Sequence, residues 1–317
     1  MADLFYYDGA LHSEQLTLEN LQRLQSMNAK VWIDVYEQKD EILDVLSNAF
    51  GLHHLTTEDL KNLRTRVKIE DFDNYLFIIL YGIKKEEDVD LVEMDFVLGE
   101  NFLISNHPGR LDSYEQLKKN EEKLTRLFDK GMDFLLHKLI DKEIDNFFPV
   151  LEYLDEEIEG IEDEVIKKPN PQLLGKIHKI KSQITHIKKI TMPQRDKLSF
   201  LAKDDHKFIS MDAKIYFRDI YDHAIRVSDF IENYREAASN TLEIYLSSIS
   251  NNMSEVMKVL SIIATIMLPL SFLTGLYGTN FRVLPGADNP YGFWAMALIM
   301  FALAMLMLLF FRSRKWL

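Results

Sequence analysis

Eleven positions in the last third of the chain recur at alternating steps of four and three residues: Glu243, Ser247, Ser250, Ser254, Met257, Ser261, Ala264, Leu268, Ser271, Gly275 and Gly278. A mean spacing of 3.5 places them all on one seam of a helix. Most are small or carry a hydroxyl. A polar seam inside apolar sequence can solvate water or a hydrated ion, which a hydrocarbon face cannot do. Small residues also let helices approach closely in a membrane, and for Ser261, Ala264 and Gly275 that reading stands beside the first. Met257 and Leu260 interrupt the hydroxyls, and apolar rings of this kind can shut a pore by dewetting.

The seam runs into residues 259–277, a stretch of 19 without a charge, and residues 291–311 supply 21 more. At about 1.5 Å per residue these reach roughly 28 and 31 Å, the thickness of a bilayer core of about 30 Å. The sequence therefore predicts a multi-pass membrane protein with the lipid bilayer as a partner. Lys258 precedes the first span, Arg312, Arg314 and Lys315 follow the second, and the connecting loop holds only Arg282 and Asp288, which cancel. The positive-inside rule then puts both termini in the cytoplasm, with Tyr291, Phe293 and Trp294 at the outer interface. Two spans cannot enclose an aqueous path. Transport requires several copies, with the first span around the axis and the second, uniform in Leu, Met, Ala and Phe, facing lipid.

The rest of the chain is charged and polar. Its 317 residues carry a formal charge of −13 and no Cys, which excludes disulfides and thiolate metal sites and fits a reducing cytosol. The acidic balance argues against a nucleic-acid partner. No secretory signal is expected from residues 1–10, which carry Asp3 and Asp8. Residues 141–165 hold eleven acidic residues and one basic, and 176–197 hold seven basic and one acidic. The spacing predicts two helix faces that attract each other, or a surface that draws cations toward a conduit.

Residues 1–110 mix helix and strand periods and predict an α+β domain, α/β/α sandwich-like. Strands are expected over 30–36 and 75–83, a hairpin around Gly99-Glu100, and helices over 13–25 and 40–50. Residues 111–205 read as helical, with a helix over 173–190 that ends near Pro193. From there to Pro269, 75 residues pass without Gly or Pro. A helix from 206 or shortly after to the end of the first span would be roughly 100 Å long at 1.5 Å per residue. The predicted order is then stalk helix 206–258, pore-lining span 259–280, outer loop 281–290, second span 291–311 and basic tail 312–317.

At the end of the first span stands Tyr277-Gly278-Thr279-Asn280-Phe281, and the tail reads Arg314-Lys315-Trp316-Leu317. Together with the stalk, the late spans and the segment Glu255-Val256-Met257-Lys258-Val259-Leu260, this resembles the CorA family of divalent-cation transporters. The resemblance implies a funnel-shaped homopentamer in a plasma (bacterial inner) membrane. It implies that Asn280 rings the outer mouth and hydrogen-bonds the water shell of a hydrated dication, with Gly278 permitting the turn. Ser254 and Ser271 match polar pore rings of the family, and Met257 and Leu260 match its apolar gate. Asp219, one turn before Asp222, matches a stalk carboxylate that binds a regulatory ion, with Glu86 the first candidate for its partner.

Thr279 stands where magnesium channels of the family have Met, and the outer loop lacks their acidic cluster. Both features point toward the ZntB-like zinc-transporting branch and keep Mg²⁺, Zn²⁺, Co²⁺ and Ni²⁺ all open as transported or regulatory ions. Import through a channel, proton-coupled or effluxing zinc transport, and a membrane-anchored sensor that does not conduct are the readings in competition. The nine His residues form no tight metal-binding spacing, no Gly-rich phosphate loop or nucleophile motif is present, and neither an enzyme nor a resident cofactor is expected.

Overall fold

The computed structural model describes residues 1–36, 40–62, 65–85, 88–280, 284–286 and 289–316. They divide into two units, 1–164 with 170–242, and 165–169 with 243–317.

The first unit is built on a seven-stranded sheet. Its strands are β1 (Ala2–Tyr7), β2 (Leu11–Gln15), β3 (Lys30–Tyr36), β4 (Lys68–Asp71), β5 (Leu76–Lys85), β6 (Val89–Leu98) and β7 (Phe102–His107). They lie in the order β2-β1-β3-β7-β6-β5-β4. Only the β3–β7 pair is parallel among the described pairings. β5 is buried from Leu76 to Ile83 and reads as a continuous apolar run for that reason. Residues 13–25 are not one helix: Ser13 pairs with Phe5 in the first hairpin. The helix α1 (Leu18–Ser26) begins where Thr17 Oγ1 accepts from the Asn20 amide at 3.1 Å.

Helices cover both faces, giving three α/β/α layers. α1, α2 (Asp40–Phe50) and α3 (His54–Lys61) precede β4, and α4 (Asp112–Lys118), α5 (Glu121–Lys130) and α6 (Met132–Asp145) follow β7. One sheet face carries Asp95 and Asn106, whose side-chain amide donates to the Leu60 carbonyl of α3 at 3.0 Å. The opposite face carries Met94, which meets Tyr114 of α4, and Gly82, where a Cβ would lie 2.8 Å from Glu143 Oε2 of α6. Gly82 is thus the gap that admits a buried carboxyl onto the sheet.

Two longer helices follow, α7 (Phe147–Lys167) and α8 (Pro171–Lys203). Pro193 does not end α8. The helix continues through it because Ile187, Thr191, Gln194 and Leu198 on one side are all buried, which outweighs one missing amide donor. α9 (Met211–Tyr277) is a single helix of 67 residues, begun by Ser210, whose Oγ accepts from the Ala213 amide. In the second unit α9 is joined by α10 (Gly292–Ser313). Both helices contain a stretch long and apolar enough to cross a membrane, and next to none of either stretch is buried.

Candidate conduction face and metal cluster

In the second unit α9 is covered along one side only. Ser254, Met257, Leu260, Ser261, Ala264, Leu268, Ser271 and Gly275 are all exposed. Ile262 is buried, and Ile266, Leu270 and Leu273 are half-buried. At about 100° per residue, this second set lies on the opposite side of the helix from the stripe. It is the side that meets α10. Leu273 and Tyr277 line a common cavity with Met296 and Ile299, and Lys258 Nζ donates to the Lys315 carbonyl at 3.4 Å near the other end. Within one protomer, then, the stripe lies on the side of α9 opposite α10, flanked by exposed apolar residues such as Ile263, Met267 and Phe272.

The helix closes at its signature. The Gly278 amide donates to the Thr274 carbonyl at 2.9 Å, and Thr279 Oγ1 to the Leu276 carbonyl at 2.8 Å. Gly278 does not need a left-handed backbone. What it supplies is space, because a Cβ there would sit 3.1 Å from the Thr274 oxygen. The helix-end carbonyls are met by Gly278 and Thr279, and Asn280 follows with an exposed carboxamide.

In the first unit, packing of α6 against α9 assembles a cluster that sequence spacing does not reveal. Ligand atoms of Asp141, Asp145 and His223 all lie within 4.8 Å of one another. His223 Nδ1 is 3.1 Å from Asp145 Oδ1, and its Nε2 is 3.9 Å from Asp219 Oδ1. Asp219 therefore borders the cluster, while Asp222 is exposed and Glu86 lies outside the described residues. Lys138 Nζ is 2.6 Å from Asp141 Oδ2 and supplies a countercharge. His137, one turn before Asp141, is packed edge-on against Tyr216 and Phe217, and burial holds its imidazole below the ordinary value. Two carboxylates and an imidazole form a donor set suited to Zn²⁺, Co²⁺ or Ni²⁺, whereas Mg²⁺ prefers oxygen alone.

A second acidic group, Asp3, Asp34 and Glu115, meets the same geometric test. It already holds a cation. Lys118 Nζ lies 2.7, 2.7 and 2.9 Å from these three carboxylates. Burial pushes the ammonium toward neutrality, but Asp34 and the hydrogen bonds outweigh it and keep Lys118 charged. This is a structural ion network.

Residues 28–314 match the family model described as CorA-like Mg2+ transporter protein. The cobalt/magnesium transport protein CorA of Thermotoga maritima is 32% identical over 308 residues, covering 95% of this chain and 87% of that protein. The complete structure of the CorA magnesium transporter from Methanocaldococcus jannaschii superposes with a TM-score of 0.86 at 24% identity, covering 100% of this chain and 99% of that one. The ZntB cytoplasmic domain from Vibrio parahaemolyticus superposes with a TM-score of 0.64 at 14% identity, covering 78% of this chain and 98% of that one, a likeness of fold.

Proposed function

Because the chain belongs to the CorA-like Mg2+ transporter family, we propose that it carries divalent cations across a membrane through a pore lined by the exposed stripe of α9. The observation that carries this reading is the placement of the stripe on the side of α9 opposite α10. Hydroxyls and small residues occupy the face away from α10, and the stripe ends at Gly278-Thr279-Asn280. One protomer cannot enclose water with that face, so the pore is formed by a homo-oligomer, a pentamer in this reading.

Asn280 presents five carboxamides at the mouth. Their oxygens accept hydrogen bonds from the ion's water shell without stripping it, which suits Mg²⁺, an ion that dehydrates reluctantly. Ser254 and Ser271 solvate the path, and Met257 with Leu260 forms its dry constriction. The chain lies in the plasma membrane with both termini cytoplasmic, as the flanking basic residues require. A dication crossing 100 mV gains about 4.6 kcal/mol, from about 2.3 per charge, so conduction needs no enzymatic step. The Asp141, Asp145 and His223 cluster with Asp219 binds a regulatory dication that favours the closed state.

The test is flux into proteoliposomes of purified protein, comparing Mg²⁺, Zn²⁺, Co²⁺ and Ni²⁺ with and without a pH gradient. Uptake of a dication that follows membrane potential and ignores the pH gradient supports the channel. Uptake that requires the gradient assigns proton-coupled transport instead, and no flux with intact ion binding assigns a sensor.

A further inference from the structure

Lys123 of α5 and Lys138 and Lys142 of α6 line one cavity of about 210 Å³, together with Ser113 and Gln116 of α4 and Asn120 of the α4–α5 junction. Among the described residues no carboxylate lines it, although the chain as a whole carries a charge of −13. Three lysines lining one concavity give it a positive potential that an anion would neutralise. Two amide side chains add further N–H donors. Cationic and neutral donors around a small space, closed on its other sides by Tyr114, Leu117 and Leu139, match a phosphate group, which near neutral pH carries a charge of about −1.5 to −2 and accepts at three oxygens.

One of these lysines also belongs to the neighbouring cluster. Lys138 Nζ lies 2.6 Å from Asp141 Oδ2, and Asp141 is one of the three groups whose ligand atoms converge with those of Asp145 and His223. A single ammonium cannot be held at full strength by both sites. A dication on Asp141 repels Lys138 toward the cavity, and an anion in the cavity draws Lys138 off Asp141. Each ligand thereby improves the other's site, and the coupling is reciprocal by thermodynamic necessity.

We propose that this cavity binds a phosphate group and that, through Lys138, its occupation raises the affinity of the Asp141–Asp145–His223 cluster for dications. The coupling rests on the regulatory reading of that cluster given above, whereas the phosphate site itself does not. The consequence is a transporter that closes at a lower dication concentration when phosphate compounds are abundant.

The experiment uses the full-length protein in nanodiscs of zwitterionic lipid, stripped of metal, with calorimetric titration. Inorganic phosphate and adenosine monophosphate are titrated separately. Saturable binding of at least one is expected in the millimolar range or tighter, weakened at least tenfold in the double variant Lys123→Gln, Lys142→Gln. Equal affinity for the two ligands assigns the bare phosphate group, and tighter binding of the nucleotide assigns a nucleotide source. Mg²⁺ is then titrated with and without the better ligand. Its affinity should rise about fivefold or more in the native protein and stay unchanged in the double variant. Lys138→Gln should bind Mg²⁺ more tightly from the outset and no longer respond to the anion.

Absence of saturable anion binding, or binding that the double variant retains, overturns the site. Anion binding that leaves Mg²⁺ affinity unmoved overturns the coupling. If Asp145→Asn binds Mg²⁺ as the native protein does, the regulatory reading of the cluster fails, while the phosphate titrations still decide the cavity.

Discussion

The side chain of Gln194 on α8 is hydrogen-bonded to both backbone polar groups of Tyr81 in β5: Oε1 accepts from the Tyr81 amide at 2.7 Å, and Nε2 donates to its carbonyl at 3.0 Å. Among the described residues β4 pairs with β5 as far as Ile79, and Tyr81 lies beyond that pairing. Gln194 meets Tyr81 there as a strand residue would. Gln194 itself is buried, and truncation would remove both of these hydrogen bonds from the Tyr81 backbone. Gln194→Ala should cost about 1–3 kcal/mol, seen as a Tm lowered by roughly 2–4 °C for each kcal/mol. The Tyr81 amide should also lose protection against hydrogen exchange. Unchanged protection there would show that water replaces the clip freely.

Asp95 gives the first unit a pH dependence of definite sign. Burial pushes its carboxyl well above the ordinary 3.8, Glu93 and Asp59 add to the rise, and the Asn106 hydrogen bond and Lys68 oppose it. The folded protein thus keeps a proton that the unfolded chain releases near pH 4. Stability falls as pH rises from about 4 toward the raised value, and that loss is absent below 4. Asp95→Asn removes the titration, and its amide can still accept from Asn106, which donates to Asp95 Oδ2 at 2.9 Å. Denaturation followed from pH 4 to 8 should show the variant gaining on the native protein as pH rises. Parallel curves would mean that Asp95 ionises normally.

The stripe of small and polar residues was legible because its 3.5-residue period is a property of one helix and needs no tertiary information. The strands over 30–36 and around Gly99-Glu100 were legible for a similar reason, since their patterns are local. The cluster was not. His223 and Asp145 lie 78 positions apart, and only the packing of α6 on α9 joins them. The available signal was a pair of four-residue steps, Asp141 to Asp145 and Asp219 to His223, each of which sets its two side chains on one helix face. Pro193 misled because a local rule about helix ends gave way to the burial of four side chains around it.

Regulation can be tested at Asp219, whose Oδ1 lies 3.9 Å from His223 Nε2. Asp219→Lys places a tethered positive charge where the regulatory ion would bind. Flux through this variant should lose its dependence on internal dication concentration, and hydrogen exchange in the first unit should no longer respond to Mg²⁺ or Zn²⁺. His223→Ala should weaken the response to Zn²⁺ and Co²⁺ more than the response to Mg²⁺, since only the former rely on nitrogen. A full exchange response in Asp219→Lys would move the regulatory site elsewhere.

Met257 and Leu260 stand exposed on the stripe side of α9, where repeated copies would meet across an axis. A ring of leucines excludes water because it offers no hydrogen bonds, and a ring of carboxamides does. Leu260→Asn should therefore raise basal flux in proteoliposomes at dication concentrations that close the native protein. Unchanged or reduced flux in a variant with native oligomeric size would place the constriction at another level of the stripe.

Selection is expected at Asn280, just beyond the point where Gly278 and Thr279 close the helix. Because those two residues meet the helix-end carbonyls, the Asn280 carboxamide is not needed for the fold, and its exposure fits that division of labour. Asn280→Ala should abolish transport while leaving oligomer size on gel filtration and thermal stability unchanged. Asn280→Asp keeps the size and the acceptors but adds up to five negative charges at the mouth of a pentamer. Bare charge attracts every cation by the same long-range law, whereas a neutral acceptor acts through the geometry of a hydration shell. Asn280→Asp should therefore retain ion capture and lose discrimination among Mg²⁺, Co²⁺ and Ni²⁺. Thr279→Met removes a hydroxyl that donates to Leu276, and should alter ion preference more than total flux. Native flux in Asn280→Ala would make the signature a structural end to the helix, and selection would then have to reside in the serines of the stripe.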